Sequence, residues 1–249
     1  MLNTFLVPFR VTFAALWSIF WISLALLVTL LTRNPDIALV MARRLWAPGL
    51  LWVAGAKIQL EAMPALDWNA PHVFTLNHRS ALDIPVAFAV LPANLRFLAK
   101  HTLGRIPFLG WYMRATRMVF VDRTSPTRAV KSLQAAGKRV REGATLLTFP
   151  EGTRARDGRV HPFKRGAFAV ALEAGVPIVP VALVGTDGVL PPGSFRAAPG
   201  TVRVRVGTPI PTQGRGADER EALASEAQQR VAELCGSLTA PPAASPRDG

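Results

Sequence analysis

Val73-Phe74-Thr75-Leu76-Asn77-His78-Arg79-Ser80-Ala81-Leu82-Asp83 is the stretch from which the rest of the chain is read. Its first four residues form a short apolar run with the character of a buried strand. A second apolar run, beginning at Ile84, has the character of a helix. His78 and Asp83 therefore fall at a strand end, close enough in sequence for the chain to fold one onto the other. An imidazole held by a carboxylate is a general base for a hydroxyl, because the carboxylate fixes the tautomer and stabilises the imidazolium that forms. Standing alone the pair is weak evidence, because a His at a strand end is more often a structural hydrogen-bonder than a base.

It does not stand alone. Phe149-Pro150-Glu151-Gly152-Thr153-Arg154 follows another strand-like run, Ala144 to Thr148. Polar clusters after two buried strands predict one shared site, since sites in α/β sheets form beyond the carboxyl ends of the strands. Arg154 offers a planar, permanently charged fork to a phosphate or carboxylate. Gly152 permits close backbone approach, and Glu151 adds an acceptor for a hydroxyl.

From Lys57 onward strand-like and helical segments alternate. Strands are expected at 58–60, 73–76, 95–99, 118–121, 144–149, 178–184 and 202–206, and the clearest helices at 125–141, 166–174 and 217–238. Ser125 is placed as a cap, with Pro126 in the first turn. The expectation is an α/β domain, 57–238, with a mixed central sheet flanked by helices. Thr239 to Gly249, rich in Pro and Ala, reads as a disordered tail.

The chain has 249 residues and carries 29 Lys and Arg against 16 Asp and Glu, a net charge of +13. Such an excess suits a polyanionic partner. Nucleic acid is disfavoured: there is one Tyr, no basic arm, and no helix-turn-helix or zinc spacing. Between Asp83 and Asp122 there is no acidic residue, while Arg96, Lys100, Arg105, Arg114 and Arg117 alternate with apolar and aromatic residues such as Ile106, Phe108 and Trp111. That mixture fits a lipid interface, where rings sit among headgroups and cations meet phosphates. The lone Cys235 excludes an internal disulfide and reads as a packing residue. The histidines show no ligand spacing, so no metal is expected.

Val11 to Thr32 is free of charge and bracketed by Arg10 and Arg33, long enough to cross a bilayer. Asn34-Pro35 ends that helix and Asp36 starts another. The following apolar segment contains Arg43 and Arg44, costly inside a membrane, so a helix lying in the interface fits it better. Residues 1–56 are expected to form a membrane-anchoring helical pair. Either a single span with an interfacial helix or a pair dipping into one leaflet is allowed.

The order of motifs resembles the glycerolipid acyltransferases, in particular the 1-acylglycerol-3-phosphate O-acyltransferases. The resemblance rests on Asn77-His78 to Asp83, on Lys100 to Gly110 (KHTLGRIPFLG), on Val119 to Arg123 (VFVDR) and on Phe149 to Arg154, in this order across residues 57–210. One departure is Arg117, where the family usually has Gly. The resemblance implies acyl transfer from an acyl thioester to the sn-2 hydroxyl of 1-acylglycerol 3-phosphate, giving phosphatidate, or to another lyso-acceptor such as a lyso-ornithine lipid. A hydrolase and a non-catalytic protein binding anionic lipid are the more distant readings. It implies His78 and Asp83 as catalytic, and Lys100, Arg123, Glu151, Gly152, Thr153 and Arg154 as binding the acceptor. No cofactor is implied; acyl-coenzyme A or acyl carrier protein is a co-substrate. The expected partners are membrane lipids, donor and acceptor, with no nucleic acid and no required protein partner. The expected place is the cytoplasmic membrane, the catalytic domain facing the cytoplasm.

Overall fold

The computed structural model describes residues 2–61, 63–122 and 125–239. In chain order the elements are α1 (Leu2–Thr32), α2 (Pro35–Met41), α3 (Ala47–Ala54), β1 (Ala56–Leu60), β2 (Val73–Leu76), α4 (Asp83–Val90), β3 (Leu95–Lys100), α5 (Leu109–Ala115), β4 (Val119–Val121), α6 (Pro126–Arg141), β5 (Thr145–Thr148), α7 (Gly166–Ala174), β6 (Ile178–Val184), α8 (Thr186–Val189), β7 (Gly200–Val206) and α9 (Arg220–Thr239). The seven strands lie in the order β1-β7-β6-β2-β5-β3-β4. All neighbours are parallel except β6 and β7, so the sheet is mixed, as expected.

β2 and β5 are buried along their whole length, which explains why they read as continuous apolar runs and not as alternating ones. They are neighbours at the centre of the sheet, and their outgoing chains leave to opposite faces. β2 leads into α4, whose Val86, Ala87 and Phe88 join the core with Phe74, Leu95 and Val181. β5 leads into α7, whose Phe168 and Ala171 pack with Val73, Leu146 and residues of α6 and α9. A crevice between two such strands is where α/β sheets place their sites.

The N-terminal segment folds as a hairpin along the α4 and α5 face. Asn34 caps α2, its side chain accepting the Asp36 N–H at 3.0 Å. Pro48 does not break the second arm, because a single π turn over Ala42–Trp46 widens the helix just before it. The arms are locked together: Trp17 Nε1 donates to the Trp46 carbonyl and Trp46 Nε1 to Ser18 Oγ, each at 3.0 Å. Gly49 is required there, since a Cβ would lie 2.4 Å from the Trp17 ring.

Both ends of the hairpin are fastened to the α/β domain. Near its start Arg10, inside α1 and not flanking it as expected, donates to the Ala197 carbonyl beside the start of β7. At its turn Asp36 pairs with Arg96 of β3 at 2.5 Å. In the middle Tyr112 of α5 donates to the Ala38 carbonyl at 3.3 Å. Ala25, Leu39, Ala42 and Leu51 belong to the same core as the sheet. The hairpin thus shares the core of the sheet and walls one face of the domain. The outer side of α1 is apolar and exposed at Phe9, Leu16, Phe20, Leu27 and Leu30.

Smaller departures have local causes. Ser125 caps α6 without a side-chain hydrogen bond. Thr239 closes α9, and the rest of the expected tail, 240–249, lies outside the described residues.

Candidate active site

Asn77 ends β2 by replacing a strand neighbour with its own amide. Its Nδ2 donates to the Leu183 carbonyl and its Oδ1 accepts the Leu183 N–H, both at 2.8 Å. This fixes the point where the backbone leaves the sheet. The next three residues wrap around the Asp83 carboxylate at the first position of α4. Oδ2 of Asp83 accepts from His78 Nδ1 at 2.7 Å and from the backbone N–H groups of Arg79 and Ser80 at 2.7 and 2.8 Å. Asp83 is fully buried, while the His78 side chain keeps 17% of its surface exposed. Because Nδ1 carries the proton shared with Asp83, the lone pair of Nε2 is the one available to a substrate.

The second cluster holds the first in place. The Phe149 ring stacks on the imidazole, centroids 4.2 Å apart and planes 21° from parallel. Glu151 is buried and uses both oxygens on backbone: Oε1 accepts the His78 N–H at 2.8 Å and Oε2 the His161 N–H at 3.1 Å. Burial pushes its carboxyl up from the ordinary value, and these two hydrogen bonds pull against that shift. Ala155 N–H donates to the His78 carbonyl at 2.8 Å, and the Arg79 guanidinium to the Gly158 carbonyl. Glu151 is therefore placed as a brace between the two loops and not as a residue lining the acceptor site.

An apolar cavity of about 300 Å³ runs from this point between the sheet and the hairpin. His78, Lys100, Phe149 and Gly152 stand at its rim end, contributed by the C-terminal ends of β2, β3 and β5. Phe88, Phe97 and Met113 form the domain wall, and Trp21, Ala25, Ala38 and Met41 of the hairpin form the other. Gly152 takes a left-handed backbone, φ +78°, which turns the chain sharply after Phe149. Thr153 and Arg154 are exposed beyond that turn, outside the cavity. Arg123 lies outside the described residues.

Of the expected site residues, His78, Lys100 and Gly152 line the cavity, and Asp83 is buried behind His78. Asn77 supports the turn, as its place beside His78 suggests, whereas the stacking of Phe149 and the bracing by Arg79 are not legible in the sequence. Nor is the hairpin wall, whose small residues at 25, 38 and 42 are the only signal available before folding. Arg117 stands before β4, at the opposite end of the strands, and adopts φ +59°. The position asks for the left-handed backbone that Gly supplies without cost, and the departure lies away from the cavity mouth. Cys235 is buried against Ala182, Val231 and Leu238, and its thiol is pushed up to about 11 by that burial.

This mixed sheet with its His–Asp pair beside an apolar cavity is that of an acyltransferase: the Acyltransferase family matches residues 57–184, and the chain belongs to that family. In particular, it is 39% identical over 175 residues to a chloroplastic 1-acyl-sn-glycerol-3-phosphate acyltransferase of Brassica napus, covering 70% of this chain and 48% of that one. It is 36% identical over 257 aligned positions to a 1-acyl-sn-glycerol-3-phosphate acyltransferase of Chlamydomonas reinhardtii, covering 95% of this chain and 74% of the relative. The chain spans about half the length of the plant relatives it matches, 48% and 47% for those of Brassica napus and Arabidopsis thaliana. The crystal structure of the 1-acyl-sn-glycerophosphate acyltransferase PlsC from Thermotoga maritima superposes with a TM-score of 0.81 at 27% identity, covering 97% of this chain and 98% of that one.

Proposed function

We propose that the protein transfers an acyl group from an acyl thioester to the sn-2 hydroxyl of 1-acylglycerol 3-phosphate, forming phosphatidate. The observation that carries this reading is the His78–Asp83 pair, 2.7 Å apart, at the mouth of an apolar cavity walled by an apolar hairpin. The names of the relatives support the acceptor.

His78 Nε2 takes the proton of the acceptor hydroxyl as its oxygen attacks the thioester carbonyl carbon. Asp83 stabilises the imidazolium so formed. The tetrahedral intermediate collapses by breaking the C–S bond, and the imidazolium returns its proton to the departing thiolate. No serine or cysteine nucleophile is needed, because the thioester is already activated. Lys100 and Arg154 meet the acceptor phosphate, with Thr153 next to Arg154 and Gly152 leaving room for it; Arg123 is assigned to the same acceptor by the family resemblance alone. The cavity takes an acyl chain.

The hairpin lies in one leaflet, supported by its attachment to the domain at both ends and by the exposed apolar side of α1. Helices Leu6–Thr32 and Pro35–Ala54 are long and apolar enough to cross a membrane, but crossing would carry the attached domain in with them. The catalytic domain faces the cytoplasm, where acyl thioesters are made. The test is to assay the purified protein with palmitoyl-coenzyme A and a panel of lyso-acceptors, reading products by mass. Phosphatidate from 1-acylglycerol 3-phosphate is expected. Faster turnover of a lyso-acceptor without phosphate would overturn the assignment.

A further inference from the structure

Residues 190–199 join α8 to β7 without helix or strand, yet the loop is tied down along its length. At its start Ser80 Oγ, from the catalytic turn, donates to the Leu190 carbonyl at 2.7 Å, and the Ala198 N–H returns to the Val189 carbonyl at 2.8 Å. Pro192 and Gly193 stand at the corners of a tight turn, in which the Ser194 N–H meets the Pro191 carbonyl at 3.0 Å and Gly193 supplies φ +81°. On the hairpin side Arg10 of α1 donates to the Ala197 carbonyl. Just past the loop the Gly200 N–H donates to the carbonyl of Gly55, the residue that ends α3, at 3.1 Å.

What this fastened loop holds outward is Phe195, 73% exposed. A single exposed ring on a surface is ordinary, but Phe195 has company. The hairpin arms to which its loop is bonded carry two more exposed rings at the same end, Phe9 beside Arg10 and Trp52 in the last turn of α3. Phe13 links these two, its ring centroid 6.4 Å from Phe9 and 6.0 Å from Trp52. The charges around Phe195 are positive and unpaired. Arg196 follows it, exposed and without a carboxylate partner among the described residues. Arg156, likewise exposed and unpaired, leans over the turn, its guanidinium 3.8 Å from where a Cβ on Gly193 would lie.

We propose that the loop 191–198 is a second membrane-contact element, inserting Phe195 beside the hairpin while Arg196 and Arg156 hold anionic headgroups; the proposal rests on the reading that seats the hairpin in a leaflet. A ring between free guanidiniums matches the boundary of an anionic bilayer, where rings lie at the top of the acyl chains and cations meet phosphates. A second copy of the chain fits the patch less well, because self-association through it would set cation against cation. Bonded to Ser80 on one side and to Arg10 on the other, the inserted loop seats the cavity mouth against the headgroups, where the lipid acceptor is.

The test places an environment-sensitive dye at the tip. Phe195→Cys in the full chain is labelled with a nitrobenzoxadiazole maleimide; Cys235, buried and with its thiol pushed up to about 11, does not compete. On vesicles of phosphatidylcholine with phosphatidylglycerol the emission should move to the blue and be quenched by lipids carrying a nitroxide high on their chains. A label at Gln229→Cys, exposed on α9, should do neither. Phe195→Ser with Arg196→Ser should lower kcat/KM for 1-acylglycerol 3-phosphate in these vesicles at least about fivefold, and change it less than about twofold with the same lipid dispersed in detergent. Protein that floats with the vesicles while the label at 195 stays in water overturns the proposal and leaves the hairpin reading standing. So does a double variant with undiminished turnover on vesicles, or one with equal losses on vesicles and in detergent. A blue shift that grows with protein concentration in the absence of vesicles gives the ring to a second copy and also overturns it. Protein that fails to float removes the hairpin reading, and the loop's insertion falls with it.

Discussion

The His78 imidazole is fixed by three separate contacts: Asp83 at Nδ1, Glu151 at its backbone N–H and Phe149 across its plane. Each predicts a different defect. His78→Ala removes the proton acceptor and should lower kcat at least about a hundredfold, with the thermal midpoint little changed. Asp83→Asn should lose comparably, because an amide at that place favours the wrong tautomer. Glu151→Gln turns an NH₂ toward one of two backbone donors, which should cost about 1–3 kcal/mol of stability. Its kcat should fall more than its KM for lysophospholipid rises; a pure KM effect in steady-state kinetics would return Glu151 to the acceptor site. Arg154→Lys is expected to show the opposite pattern, raising KM for the acceptor and not for the donor, because a point charge replaces a two-pronged one.

At the scale of elements, the turn before β4 and the start of α5 each hold a residue in an unusual backbone. Arg117 takes φ +59°, and its carbonyl and that of Met118 are gripped by Arg139. A left-handed residue with a Cβ is strained by about 1–2 kcal/mol, offset in part by the larger entropy that Gly loses on folding. Arg117→Gly should therefore raise the thermal midpoint slightly and leave kcat and KM unchanged, which a melting curve and a single assay check. Phe108, at φ +60° and ψ −62°, closes a three-residue turn in which Leu109 N–H meets the Pro107 carbonyl at 2.7 Å. The turn sets Phe108 beside Trp111, ring centroids 5.2 Å apart, both exposed next to α1. Phe108→Ser with Trp111→Ser should weaken binding to anionic vesicles in a flotation assay while sparing turnover in detergent.

Much of this was legible beforehand, because period and run length carry it. All seven strands fall within two residues of their expected places, since each is an apolar run or, as in β1 and β7, an apolar-polar alternation. His78 and Asp83 were legible because their partnership is local. The contacts of Glu151 were not legible, because its partners, His78 and His161, are decided by how two loops pass each other. The basic and aromatic segment after Asp83 was legible only as a mixture. Folding divides it, turning Phe97 and Tyr112 inward to the cavity and leaving Ile106, Phe108 and Trp111 outside.

For the whole molecule the largest revision concerns the hairpin. An apolar run looks the same whether it will meet lipid or protein; the hairpin packs one side on the domain and leaves the other apolar and exposed. Removing them would strip the cavity of one wall and expose Phe88, Phe97 and Met113. The truncated chain should therefore lose activity on water-soluble short-chain acceptors as well as on vesicles, and should melt lower or aggregate in a thermal scan. A more selective change is Ala25→Phe or Ala38→Phe, which narrows the cavity from the hairpin side. Donors with long chains should slow relative to those with short ones, measured as the ratio of kcat/KM across chain lengths.

With the hairpin seated in one leaflet as proposed, a first arm roughly 46 Å long, fastened at the Ala197 end and again at Arg96, would make the bilayer surface a fixed datum for the chemistry. His78 cannot rise or sink relative to the lipid without the hairpin moving too. On that placement the enzyme would select a hydroxyl by altitude: a lipid whose free hydroxyl rides at another depth would present the right group in the wrong plane. A lysophosphatidate acylated at sn-2 instead of sn-1 should be discriminated against more strongly in bilayers than as detergent-dispersed monomers, because only the bilayer holds it at its own level.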